Sequence, residues 1–310
     1  MRVAFILNPA ARDGRAARLG PRLLAAASPH HATVYPTNGP RHAETLARDL
    51  SASVDRVVAV GGDGTVGETA DGLAGTGTPM GIVPAGTGND LASALGLRTR
   101  LDAAVAVALG DTVQATDLLR ARWTDVDGTT GERVAANAVG LGFDAAVAAA
   151  VSRYKRLGGV AAYLAAVFGT LRDWRRPDRH ARIWIDDALV HDGSLFLVSI
   201  GNGHRVGGGF RITPDADPSD GVLDVCVISH ARTARVLRLL PRAMRGHHLA
   251  AAEVAIHRGG SVCVEIEGRP VAVHGDGESV SEDVRELAVE MWRSAIEIAR
   301  PAARSRQRSK

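Results

Sequence analysis

Short apolar runs alternate with amphipathic stretches through the first third of the chain. Residues 3–7, 33–35, 56–60 and 80–83 read as strands; 16–27, 43–50 and 101–109 read as helices. The runs 56–60 and 80–83 each enter a glycine-rich turn and then a helical pattern. Strand–helix alternation predicts a parallel sheet with helices on its faces. Ligands of such sheets collect at the carboxyl ends of the strands. Asn8-Pro9, Gly61-Gly62-Asp63-Gly64-Thr65 and Pro84-Ala85-Gly86-Thr87-Gly88-Asn89 all fall at that end.

The pattern changes after about residue 116. Residues 134–139, 181–185, 195–200, 223–228, 254–257, 262–266 and 271–273 read as strands, separated by Gly, Asp and Pro clusters. Strands without intervening helices predict a mainly antiparallel β-sandwich. A helical insert over 145–174 interrupts them, and 287–299 fits either a strand or a helix.

The chain of 310 residues with 45% hydrophobic content suits two domains with real cores. Its 37 basic and 34 acidic residues leave a net charge of +3, too little for a nucleic-acid field. Aromatics at 4% are too sparse for single-strand stacking platforms. Cys226 and Cys263 lie in apolar strands and read as buried free thiols. The first apolar run ends at Asn8-Pro9, so no signal peptide is expected. The uncharged stretch 157–171 falls short of the ~20 residues a spanning helix needs. A cytoplasmic protein is expected, at most peripheral on the inner face of the membrane.

Val57-Val58-Ala59-Val60-Gly61-Gly62-Asp63-Gly64-Thr65-Val66-Gly67-Glu68 carries the strongest chemical signal. Glycines allow a tight turn and close approach of a ligand. Thr65 and Glu68 fit a capping box, so a helix should open at Thr65, and free N–H groups at such a start suit phosphate. Asp63 would repel phosphate unless it serves a metal, a water or a ribose hydroxyl. No lysine follows, which excludes the Gly-x4-Gly-Lys-Ser/Thr loop. The second turn repeats this logic, with Thr87 and Asp90 as its capping pair. A structural strand-to-helix turn is the bland alternative for each. Asp215, Asp217, Asp220 and Asp224 crowd one turn-rich segment, which suits either Mg²⁺ or Ca²⁺ or a solvated acidic turn. Asp276-Gly277-Glu278 fits a hairpin turn.

Taken in order, these motifs resemble the diacylglycerol kinase catalytic-domain family, the soluble bacterial lipid kinases related to sphingosine kinases. Asn137 with Gly140, Gly142-Phe143-Asp144, Gly207-Gly208-Gly209 and Asp220-Gly221-Val222-Leu223-Asp224 extend the match over most of the chain. The resemblance implies a three-layer α/β nucleotide domain over 1–118, completed by about 294–310, and a β-sandwich substrate domain over 119–293. ATP and Mg²⁺ would bind between them. By the same resemblance Asn8, Thr37, Gly61, Gly62, Asp63, Gly64, Thr65, Val66, Gly67 and Thr87 contact ATP. Asp276 is the general base, and Asp220 with the carbonyls of Asp217 and Val222 holds a structural Mg²⁺. The turn after Asn8-Pro9 departs from the family's pattern, reading Ala10-Ala11-Arg12-Asp13-Gly14. The implied reaction is phosphoryl transfer from ATP to a lipid hydroxyl, with diacylglycerol as acceptor. An NAD kinase shares Gly-Gly-Asp-Gly-Thr, and a binding protein without turnover is the other class; the second turn and Asp-Gly-Glu favour the lipid kinases. The oligomeric state is not legible.

The pairs His30-His31 and His247-His248 read as surface residues. Trp174 with Arg175-Arg176, and the arginines Arg232, Arg235, Arg238, Arg242 and Arg245, could meet anionic lipid. Ordinary packing and a solvated basic face are the alternatives.

Overall fold

The computed structural model describes residues 1–12, 14–97, 100–157, 159–172, 174 and 178–301. Its first part runs β1 (Arg2–Leu7), α1 (Gly20–Ala26), β2 (His31–Pro36), α2 (His42–Leu50), β3 (Arg56–Gly61), α3 (Asp63–Leu73), β4 (Met80–Pro84), α4 (Asp90–Ala94) and α5 (Leu101–Ala108). β2, β1, β3 and β4 are parallel neighbours in that order. Side chains alternate across a strand, and β1 uses both faces. Val3, Phe5 and Leu7 pack with Leu23, Ala104 and Val105; Ala4 and Ile6 pack with Ala43, Ala47 and Val66. Helices therefore cover both faces of the sheet. The expected helix over 16–27 is split: a 3₁₀ turn, Arg15–Leu19, precedes α1. Pro21 lacks an N–H and is tolerated only in a first turn, so the α-helix restarts there.

The remainder runs β5 (Val113–Asp125), β6 (Thr130–Ala135), β7 (Ala138–Gly142), α6 (Phe143–Val151), α7 (Gly159–Leu171), β8 (Arg179–Ile185), β9 (Ala188–Gly201), β10 (Leu223–Ser229), α8 (Thr233–Ala243), β11 (Val254–Gly259), β12 (Ser261–Gly268), β13 (Val271–Gly275) and β14 (Glu278–Ala299). The pairs among these strands are antiparallel. They close a ring, β14–β13–β7–β9–β8–β12 and back to β14, around a core that includes Leu141, Ile183, Val198, Val225 and Val264. The expected strand over 134–139 is two strands, broken at Ala136-Asn137. Cys226 is buried in this core, and burial pushes its thiol up to about 12. Cys263, expected to be buried, is exposed. It alternates with Val262 and Val264, which point inward.

The parallel strands do not form a separate sheet. β14 pairs with β12, β13 and β5, bends, and then runs parallel to β4 through Ile298 and Met80. Its register shifts between Trp292 and Ile296, where Ser294 has φ 50. The Asp117 carboxylate accepts N–H groups from Ser294 (2.6 Å) and Gly221 (2.8 Å) and pins this bend. Residues 287–299 are thus strand throughout. Among the described residues no helix is long and apolar enough to cross a membrane.

Candidate active site

The first glycine turn opens α3 at Asp63, not at Thr65. Thr65 is no cap, because its hydroxyl accepts the Asn8 side-chain amide (3.0 Å) and ties β1 to α3. Glu68 caps a different helix, accepting the N–H groups of Arg41 (2.8 Å) and Ala43 (3.2 Å) at the start of α2. No side chain caps α3. Its positive end is left for an anion, as the partial charge of a helix start favours.

Asp63 has partners within the protein. Its carboxylate accepts the N–H groups of Asn89 (2.7 Å) and Asp90 (2.6 Å) and so joins the two glycine turns. Asn89, at φ 55, closes the second turn by exchanging hydrogen bonds with the Gly86 backbone (2.9 and 3.0 Å). Thr87 is exposed and caps nothing. Asp90 accepts the Gly208 N–H (2.7 Å), which draws the Gly207–Gly208–Gly209 turn over the second glycine turn. A Cβ on Gly86 would strike the Cα of Gly62, so the two turns touch backbone to backbone. Burial, then the neighbouring Asp90, raises the Asp63 pKa to about 6. Burial also raises Asp90, against the Gly208 N–H.

Asp276, two hundred residues away in sequence, arrives at the same place. It stands at φ 53 between β13 and β14, and its carboxylate accepts N–H groups from Ala136 (2.8 Å), Asn137 (2.8 Å) and Ala138 (3.0 Å). Those three bonds are the reason the strand breaks there. Burial raises the Asp276 pKa in spite of these donors. Glu278 pairs with the half-hidden Arg133 (2.8 Å). A Cβ on Gly67 would lie 2.5 Å from Asp276 Oδ2, and one on Gly64 would collide with Glu278. These two glycines of α3 make room for the Asp-Gly-Glu turn as well as for any phosphate.

Asn8, Gly61, Gly62, Asp63, Gly64, Thr65, Val66, Gly67 and Asp276 are therefore brought together. Thr37 lies at the end of β2, where its N–H meets the Leu7 carbonyl (2.8 Å), and Thr87 lies at the end of β4. Arg12 adopts φ 52 after the Asn8-Pro9 turn, while Asp13 lies outside the described residues.

In the Asp217–Val222 loop the carboxylates of Asp217 and Asp220 meet partners within the protein. One oxygen of Asp220 accepts the Val222 N–H (3.0 Å), and the other is paired with Arg258. Arg258 Nε also lies 3.5 Å from the buried Asp224 carboxylate. The Asp217 side chain is turned to Ser219 (3.0 and 2.6 Å). Among the described residues no three His, Cys, Asp or Glu side chains gather at metal distance.

On the far side of Asp276-Gly277 lies an apolar cavity of about 280 Å³. Phe143, Phe196, Val167, Phe210, Val236 and Leu240 line it, and Asp144, His274 and Gly277 stand in its wall. His248 also lines it: expected on the surface, this residue is fully buried, its Nε2 3.1 Å from the Ile212 carbonyl. Trp174 is buried too, edge-on to Phe143 and Phe196 beneath the Arg179 guanidinium. Arg175 and Arg176 lie outside the described residues. α8 turns Val236 and Leu239 inward and leaves Leu237, Arg232, Arg238 and Arg242 exposed; Arg235 is held by Glu253 (2.7 Å). α7 likewise buries Val167 and exposes Leu164 and Phe168.

Sequence reasoning passed over Arg133 and gave Asn137, Asp144 and His274, the last noted only as the start of the group that ends in Asp276-Gly277-Glu278, no role of their own. A single Arg in an alternating strand and a single His in an apolar one carry no local signal. Their positions beside Asp276 depend on pairing between strands remote in sequence.

Comparison with known proteins adds to this geometry. Residues 2–121 match the diacylglycerol kinase catalytic domain, and residues 137–299 match the YegS C-terminal NAD kinase beta sandwich-like domain. A diacylglycerol kinase of Mycobacterium tuberculosis is 32% identical over 257 residues, covering 83% of this chain and 80% of its own. In fold, the chain matches the crystal structure of a diacylglycerol kinase from Bacillus anthracis with a TM-score of 0.73, at 23% identity, covering 97% of this chain and 98% of the other. An NAD kinase from Archaeoglobus fulgidus, solved with ATP, matches with a TM-score of 0.52 at 16% identity over 97% of this chain and 94% of the other.

Proposed function

Since the chain belongs to the diacylglycerol kinase catalytic-domain family, we propose that it transfers the γ-phosphate of ATP to a lipid hydroxyl, with diacylglycerol as the acceptor. One observation carries this reading. The apolar cavity ends at the Asp276-Gly277-Glu278 turn, and that turn abuts the uncapped start of α3. A phosphate at the helix start and a hydroxyl at the head of an acyl chain would meet across one carboxylate.

Each part then has a task. The backbone of Gly61–Gly67 and the Asn8 turn hold the nucleotide phosphates, with Thr37 and Thr87 at the rim. Asp276 takes the proton of the attacking hydroxyl, and a pKa raised by burial suits a base working near neutral pH. Phosphoryl transfer asks mainly for positioning and charge neutralisation. Asp63 and Asp90 lie close together, and burial raises the pKa of both. Mg²⁺ entering with ATP would supply positive charge. Residues 1–118, with the strand end near 296–299, form the nucleotide half; 119–293 form the acceptor half.

The acceptor is insoluble, so the enzyme works as a cytoplasmic protein that visits the inner membrane face. The exposed Leu237, Arg232, Arg238 and Arg242 of α8, with Leu164 and Phe168 of α7, flank the cavity and form the contact surface. Incubation with labelled ATP, Mg²⁺ and a panel of diacylglycerol, other lipid alcohols and NAD tests the proposal. Label in phosphatidic acid supports it. Label in NAD alone would overturn it in favour of the NAD kinase reading, and ATP binding without any transfer would leave a binding protein.

A further inference from the structure

The cavity is apolar except where Asp144, His274 and His248 enter its wall; His248 Nε2 lies 3.1 Å from the Ile212 carbonyl, while Asp144 and His274 face each other. His274 lies on β13, two residues before Asp276, and is almost fully buried. Its Nδ1 accepts the Gly277 N–H (3.2 Å), so the ring proton resides on Nε2. Nε2 faces Asp144 Oδ2 at 3.3 Å, a long contact. The other Asp144 oxygen accepts only its neighbour's N–H, from Ala145 (2.8 Å). A Cβ on Gly140 would collide with both His274 Nε2 and Asp144 Oδ2, so the strand below leaves space for this pair. Gly277 borders the cavity, the imidazole and the candidate base together.

The imidazole has spent its acceptor on Gly277 and its donor on the carboxylate. What the pair offers a ligand is acceptor capacity on Asp144, whose side chain keeps 18% of its surface exposed. A carboxylate in an apolar wall gains most from a ligand O–H or N–H. An ester carbonyl cannot provide one.

We infer that Asp144, oriented by His274, is a specificity-determining residue that accepts a hydrogen bond from a second free hydroxyl of the lipid, beside the one being phosphorylated. The inference rests on the lipid-kinase reading and narrows it. Diacylglycerol, with its neighbouring oxygens esterified, enters by its acyl chains alone; a monoacylglycerol also engages the pair.

The test compares kcat/KM for a 1-monoacylglycerol and a diacylglycerol of the same acyl chain, in detergent, for wild type, Asp144→Ala and His274→Phe. The monoacylglycerol-to-diacylglycerol ratio should fall about tenfold in Asp144→Ala, the worth of one hydrogen bond to a charged group. It should fall less in His274→Phe, which misorients the carboxylate without removing it. KM for ATP and, in Asp144→Ala, activity on diacylglycerol should hold. A ratio unchanged in variants with wild-type melting temperatures overturns the inference and leaves Asp144 a first-turn residue of α6. If Asp144→Ala does not fold, Asp144→Leu, which keeps the size but has no acceptor, must show the same fall in ratio or the inference is lost. A wild type inactive on both lipids removes the lipid-kinase reading itself.

Discussion

The two sides of the cleft are built from different material. The nucleotide side is backbone: glycines at 61, 62, 64, 67 and 86 press one turn on another, and main-chain N–H groups are the functional atoms. The cavity side is side chain: aromatic and aliphatic groups from α6, α7, α8 and β9, with Asp144, His248 and His274 among them. A backbone site tolerates almost no substitution, because a single Cβ meets main chain or an essential carboxylate. A side-chain site can be reshaped one residue at a time. The first should govern whether phosphate moves at all, and the second which molecule receives it.

The sharpest break lies where the sides meet. Asp276→Asn keeps the shape but removes the proton acceptor, so kcat should fall by roughly 10²–10⁴ with ATP affinity little changed. Near-normal turnover would take Asp276 out of the mechanism. The next largest effect belongs to the surface outside the cavity. Replacing Arg232, Arg238 and Arg242 by Gln should weaken binding to anionic vesicles by about 10²-fold at low salt, from about 1 kcal/mol per charge, and by less as salt rises. Activity on detergent-dispersed lipid should persist. Vesicle binding like that of wild type in a sedimentation assay would make α8 an ordinary solvated face.

Two smaller tests separate backbone from side chain. Gly67→Ala should push Asp276 aside and lower kcat by about tenfold for every acceptor alike, since misplacing a reacting group costs position rather than recognition. Leu240→Trp should instead lower kcat/KM for long acyl chains by about tenfold while sparing short ones, as a filled apolar pocket does. Acceptor-dependent loss in the first, or uniform loss in the second, would erase the distinction. The smallest effect is on stability. Asp63 has its folded-state pKa raised to about 6, so it holds a proton longer in the folded state than in the unfolded. Its contribution is present at low pH and is lost as pH rises through that value. Between about pH 5.5 and pH 7, wild type should lose about 1 kcal/mol relative to Asp63→Asn in urea titrations. Parallel curves would show that Asp63 ionises normally.

The same contrast explains what could be read in advance. Gly-Gly-Asp-Gly-Thr and Asp-Gly-Glu are legible as local strings, yet the space left by Gly62, Gly64 and Gly67 is taken by Gly86, Glu278 and Asp276 from elsewhere in the chain. Their assembly was legible only through resemblance; nothing in the string brings Gly67 to Asp276. The capping boxes failed for a related reason. Thr65 and Glu68 have the right spacing, yet both are drawn to partners outside the helix, Asn8 and α2. β5 escaped notice because Arg120, Arg122 and Asp117 blur its alternation. Its charges find Glu132 and the β14 bend only once the sheet exists. The ion pair of the acidic loop with Arg258 was not legible either, because that arginine lies on another strand.

β14 has a further consequence, for the order in which the chain can be finished. Its last residues supply the neighbour of β4, and Gly75 donates its N–H to the Ala295 carbonyl (2.9 Å). A ribosome that has released β1 through α5 has therefore made a sheet that is bare not only at β2, an edge of the finished fold too, but also at β4. That edge must wait while nearly two hundred residues are synthesised before its last strand arrives. Bare edges invite pairing with other chains, and contacts this distant in sequence form slowly. The joint that binds the two halves of the finished enzyme is thus the weakest moment of its synthesis.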